Sequence, residues 1–93
     1  MSGHVFHPGH EELHGVTVVL DGASGKTYVG RYHERTSGGL LLHDVAVHDP
    51  ASGVSREEFL RRTHKFGVRA EHKNLVVPEV EVREITRLAD VPG

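Results

Sequence analysis

The sequence predicts a mainly β chain, a five-stranded, strongly bent antiparallel small barrel carrying an inserted loop or short helix. Three observations lead there. Short apolar runs recur at hairpin spacing, with too few residues between them for parallel crossovers, which need a dozen or more. Aromatic residues are 5% of the chain and Trp is absent, so the core must come from Val and Leu. Five short strands in 93 residues favour a closed or nearly closed barrel, because an open sheet of that size exposes two edges. A chain of this length holds one domain.

Each element has its own signal. Residues 1–14 form a histidine-rich N-terminal arm with His4, His7, His10 and His14, and Pro8-Gly9 breaks any early helix. Glu11 to His14 allow one helical turn before Gly15 stops it. Val16 to Leu20 reads as the first strand, followed by a turn at Asp21-Gly22 and Gly25. Tyr28, Gly30 and Tyr32 begin a second strand that pauses at Ser37-Gly38-Gly39, and Leu40 to Val47 makes a third that ends before Pro50. Beyond Pro50 the character changes. Ser55 with Glu58 fits a capping box, Glu57–Arg61 and Glu58–Arg62 are favourable i,i+4 pairs, and Gly67 is placed to end a helix. Phe59, Leu60 and Phe66 supply a narrow apolar stripe; the alternative is that Phe59 and Leu60 extend a hairpin arm. A strand pattern returns at Asn74 to Val77, is punctuated by Pro78, and resumes through Val80, Val82 and Ile85 to Leu88. The broken alternation predicts a turn or bulge near residues 79–82.

Composition excludes several classes. With no Cys there is no disulfide framework, thiolate catalysis or Cys-ligated metal. No apolar run approaches the roughly 20 residues of a membrane span, and no basic segment followed by an apolar one marks the N-terminus for export. The expectation is a cytoplasmic chain without a membrane partner. A net charge of −2 makes the whole chain no polycation.

The order of landmarks resembles the Sm-like (LSm) small β-barrel superfamily, itself akin to SH3-like barrels. The first motif corresponds to Gly15-Val16-Thr17-Val18-Val19-Leu20-Asp21-Gly22, Tyr28-Val29-Gly30 and Leu40-Leu41-Leu42-His43-Asp44-Val45. The second corresponds to Val77-Pro78-Glu79-Val80-Glu81-Val82-Arg83-Glu84-Ile85. On this reading residues 15–90 are the barrel, with an insertion at 49–73 between the third and fourth strands. The stretches His48-Asp49, Arg56-Glu57-Glu58, Gly67-Val68-Arg69 and Leu88-Ala89-Asp90-Val91 are similar to a bacterial branch of the superfamily. The resemblance implies that the fourth strand (Asn74, Leu75, Val76, Val77) pairs with the fifth (Val82, Ile85) of a neighbouring copy. Repeated, this pairing gives a homo-oligomeric ring of about five to seven protomers that hides the open edges. A monomeric SH3-like barrel is the alternative.

The resemblance also locates a uridine-binding site, and this chain departs from it at every position. Arg35 stands for the usual Asp, Gly38 for the stacking residue, Gly39 for the Asn, Pro78 for the Arg and Glu79 for the Gly. Glycine cannot stack, and a ring of Glu79 repels phosphate. The insertion is the better nucleic-acid candidate. Residues 56–73 hold Arg56, Arg61, Arg62, Lys65, Arg69 and Lys73 against three Glu, a net of +3 that leaves −5 on the remaining 75 residues. A solvated helix face with internal ion pairs is the competing reading.

The nine His raise the question of metal. His10-Glu11-Glu12-Leu13-His14 is formally H-E-x-x-H, yet it lacks the long helix that places both His of a zinc protease on one face. The spacing of His7, His10 and His14 suits a local Zn²⁺ or Ni²⁺ site without catalysis. His43 and His48 read as satisfied surface or interface residues, and His33, His64 and His72 carry no sequence signal. Gly25-Lys26-Thr27 lacks the first glycine of a P-loop, since Leu20 occupies that position. The sequence therefore predicts no enzyme and no obligatory cofactor. It predicts a binding or scaffolding module with RNA as candidate partner, or else a metal-binding protein, or an assembly module without nucleic acid.

Overall fold

The structure is a computed structural model and describes residues 13–92. Five antiparallel strands form one sheet: β1 (Thr17–Gly22), β2 (Thr27–Thr36), β3 (Gly39–His48), β4 (His72–Val77) and β5 (Val82–Arg87), in the order β4-β3-β2-β1-β5. One helix, α1 (Arg56–Phe66), lies between β3 and β4. Short 3₁₀ turns occupy Pro50–Ser52, Glu79–Glu81 and Leu88–Asp90. The mainly β fold is as the sequence predicts, but the sheet is not closed. β4 pairs with β3 and β5 with β1, while Pro78 and the 3₁₀ turn carry the chain from one end of the sheet to the other.

The run Val18-Val19-Leu20 is fully buried because both faces of the sheet are covered. Alternation sends Val18 and Leu20 into an inner core with Tyr32, Leu40, Leu42, Val45, Val77 and Ile85. Val19 points the other way and meets Val29 and Leu60, with Phe59, Val68, Leu88 and Val91 around them. The inserted helix therefore supplies the second layer that the outer face needs.

Two bulges bend the long β2–β3 hairpin. Between Val29 and Arg31 the register slips, so that Gly30 faces the irregular stretch at Asp44 and Val45. A Cβ on residue 30 would lie 2.9 Å from both the His43 carbonyl oxygen and Val45 Cγ2, which is why glycine sits at the bend. His33 is the extra residue of the second bulge, between the pairs Tyr32–Leu42 and Glu34–Leu41.

The helix in the insertion is confirmed, with its ends where the sequence sets them. Ser55 Oγ accepts from the Glu58 N–H at 3.0 Å, and the Gly67 N–H donates to the Thr63 carbonyl. The predicted irregularity at 79–82 is the 3₁₀ turn, and opposite it β1 slips register between Asp21 and Gly22. No helix among the described residues is long and apolar enough to cross a membrane.

Candidate functional site

Folding divides the six basic residues of the insertion rather than gathering them. Arg56 grips Asp21 of β1 with two hydrogen bonds, 2.9 and 3.0 Å, and so fastens the start of α1 to the sheet. Arg61 and Arg62 both pair with Glu58, at 2.7 and 2.8 Å; Arg61 thus takes the i,i+3 partner instead of Glu57. Lys73 belongs to β4, between the His72–Val45 and Asn74–His43 pairs. The Asp44 carboxyl nearby is held below its usual range chiefly by the Arg31 hydrogen bond, with the charge of Lys73 adding least. Lys65 lies 5.4 Å from the centroid of the Phe66 ring.

What remains is a groove of about 890 Å³ between the last turns of α1 and the chain that leads to β4. Ala46 of β3 lines it together with Phe59, Arg62 and Phe66 of α1, then Arg69 and Glu71. The apolar stripe of α1 is split by burial: Leu60 is 2% exposed while Phe66 is 70% exposed. An exposed aromatic ring among Arg62, Lys65 and Arg69 offers a stacking surface with cations beside it.

Arg35 and Glu79, two of the positions that the sequence sets against a uridine site, pair with each other through two hydrogen bonds, 2.5 and 3.1 Å. Gly39 has φ +139°, and a Cβ there would overlap the Val77 carbonyl and lie 2.8 Å from Pro78 Cα. Next to this, Glu81 accepts from the Ser24 N–H at 3.1 Å, the Ser24 hydroxyl at 2.5 Å and the Tyr28 hydroxyl at 2.9 Å. The Ser24 bond does most to depress the Glu81 carboxyl pKa, while burial and then Glu81 raise that of Tyr28. These groups are satisfied within the chain.

The two ends of the sheet are different. Among the described residues, β4 and β5 each pair with one strand only. Val77 and Ile85 face the inner core, and Leu75 and Val82 pack partly against it. Val76, which alternates with them, is 42% exposed, and Asn74 holds a histidine of β3.

That histidine belongs to a row. The ring centroids of His14 and His33 are 5.0 Å apart, and those of His33 and His43 are 4.6 Å apart. His14 is thus among histidines other than the predicted His7 and His10, which lie outside the described residues. Among the described residues no group of three His, Asp or Glu is arranged around a common metal position. His48 is 6% exposed, stacks on Phe59 and donates from Nε2 to the Val54 carbonyl at 2.5 Å. Its buried Nδ1 has no hydrogen-bond partner among the described residues. Sequence reading passed over His33, although a hairpin centred on Ser37-Gly38 brings it opposite the neighbourhood of His43.

No protein-family model matches the chain, and no curated protein matches it.

Proposed function

We propose that the chain is a non-enzymatic Sm-like module that assembles with copies of itself and carries single-stranded RNA on the α1 groove. The observation that carries this reading is the sheet order β4-β3-β2-β1-β5, which among the described residues leaves one open antiparallel edge at each end. Pairing β4 of one copy with β5 of the next satisfies both edges, and about five to seven copies close a ring by repetition of that contact. Such a ring repeats Phe66, Arg62 and Arg69 once per copy, which multiplies a weak single-site affinity. The Arg35–Glu79 pair supports moving the RNA away from the position used by the resembled superfamily. The module works in the cytoplasm on this reading.

The test is fluorescence anisotropy of a labelled single-stranded RNA as salt is raised. Binding is expected to weaken linearly in log–log form, with a slope of about −0.7 per phosphate contact. The double variant Arg62→Glu, Arg69→Glu is expected to lose at least tenfold in affinity and to flatten that slope. Equal affinity and equal slope for wild type and variant would remove RNA from the reading.

A further inference from the structure

We propose that Glu71 and Arg69 make the α1 groove selective for guanine. This selectivity rests on the reading of the groove as an RNA site.

Both residues belong to a piece of chain fixed at its two ends. Val68 packs into the outer cluster, and the Glu71 N–H donates to the Val45 carbonyl at 2.8 Å. Arg69 and Glu71 therefore line the groove from backbone held against the sheet, together with Arg62 and Phe66 of α1. Groups mounted on fixed backbone hold a binding geometry better than a loose loop does.

Their charges are not used by the fold. Arg56 is held by Asp21 and Arg62 by Glu58. Among the described residues, neither the Arg69 guanidinium nor the Glu71 carboxylate has an ion-pair partner, and they do not pair with each other. A bare carboxylate opposes the phosphates that Arg62, Lys65 and Arg69 attract. It gains where a base edge comes near, because proteins that read single-stranded RNA hydrogen-bond the edges of unstacked bases.

Guanine is the base whose edges match both groups. Its N1–H and N2–H donate side by side to the two oxygens of a carboxylate, which only accepts. Its O6 and N7 accept from the fork of a guanidinium. Uracil has a carbonyl on each side of its single N–H, so that edge sets two oxygens against the carboxylate. Adenine and cytosine each offer one amino group beside an accepting ring nitrogen. The exposed Phe66 ring supplies the stacking face, which every base can use and which therefore selects none. Selection falls to Glu71, with Arg69 beside it.

The test is fluorescence anisotropy of three labelled RNA octamers on the full chain. One is uridine throughout, and the others carry two central guanines or two central adenines. The guanine octamer is expected to bind at least about fivefold tighter than either other, the low end for one bidentate base contact. Glu71→Gln keeps the size of the side chain and the backbone bond but turns one acceptor into a donor. It is expected to erase the guanine preference while uridine binding holds or strengthens. Arg69→Ala is expected to weaken all three octamers and to lower the preference. Equal wild-type affinity for the three octamers would overturn the selectivity and leave the RNA site standing. Equal tightening by guanine and adenine, which is stacking alone, would do the same, as would a guanine preference that survives in Glu71→Gln. Failure of wild type to bind any octamer would remove the RNA reading itself, and the selectivity with it.

Discussion

Leu60→Ala probes whether the inserted helix is a structural layer of the fold. Leu60 is 2% exposed and joins Val19 and Val29 in the outer cluster, ringed by Phe59, Val68, Leu88 and Val91. The substitution removes three methylene-sized groups, worth about 2–2.5 kcal/mol in transfer free energy. The neighbours come from two strands, the helix, the segment between α1 and β4 and the C-terminal turn, so they close the space only partly and a cavity cost adds to the loss. The total is about 3 kcal/mol, within the usual range for a buried Leu. At roughly 0.05–0.15 kcal/mol per residue, a chain of this size has about 5–14 kcal/mol in all. Urea denaturation followed by circular dichroism should show the midpoint falling with the slope unchanged, and Tm should drop by about 12–24 °C. Phe66→Ala, seven-tenths exposed on the same helix, should stay within about 0.5 kcal/mol of wild type. A loss below about 1 kcal/mol for Leu60→Ala would refute the argument, because a helix docked by that side chain cannot give it up so cheaply.

Other consequences follow from particular contacts. Gly39→Ala should destabilise by about 2–3 kcal/mol in the same assay, since it combines a left-handed backbone with overlap of the Val77 carbonyl. Wild-type stability there would mean that the β2–β3 turn does not press on Pro78. The depressed Glu81 pKa makes its carboxylate a stabilising group above the ordinary value of 4.5, and that contribution disappears as pH falls through the lower folded value. Tyr28 acts at the other limit. Its raised pKa means that its phenol stabilises the fold below 10.0, and this is lost as pH rises through the folded value. Glu81→Gln should therefore flatten the acid limb of a stability–pH curve, and an unchanged limb would remove the Ser24–Glu81–Tyr28 cluster from the account.

Much of the fold is legible because it is local. Ser55 and Gly67 mark the ends of α1 by their backbone bonds, and Val18 to Leu20 declare a strand. The open sheet was harder to see, because closure depends on how far the chain travels between β4 and β5, and no local pattern encodes that distance. Site residues were legible only in part. Counting charge across residues 56–73 finds the cations, but it cannot tell that Arg56 is spent on Asp21, 35 positions away, while Arg69 lines a groove. The histidine row was hidden for the same reason: His14, His33, His43 and Asn74 become neighbours only through strand register and a bulge.

The central claim is that the open edges of β4 and β5 pair between copies, and the most direct test is the mass of the full chain in solution. Light scattering behind size exclusion should give about five to seven chains per particle. Replacing the half-exposed Val76 of β4 by Lys, the charge that natural edges use to stay unpaired, should shift that mass toward one chain while the circular dichroism is retained. A wild-type mass of a single chain at concentrations up to the millimolar range would contradict the account.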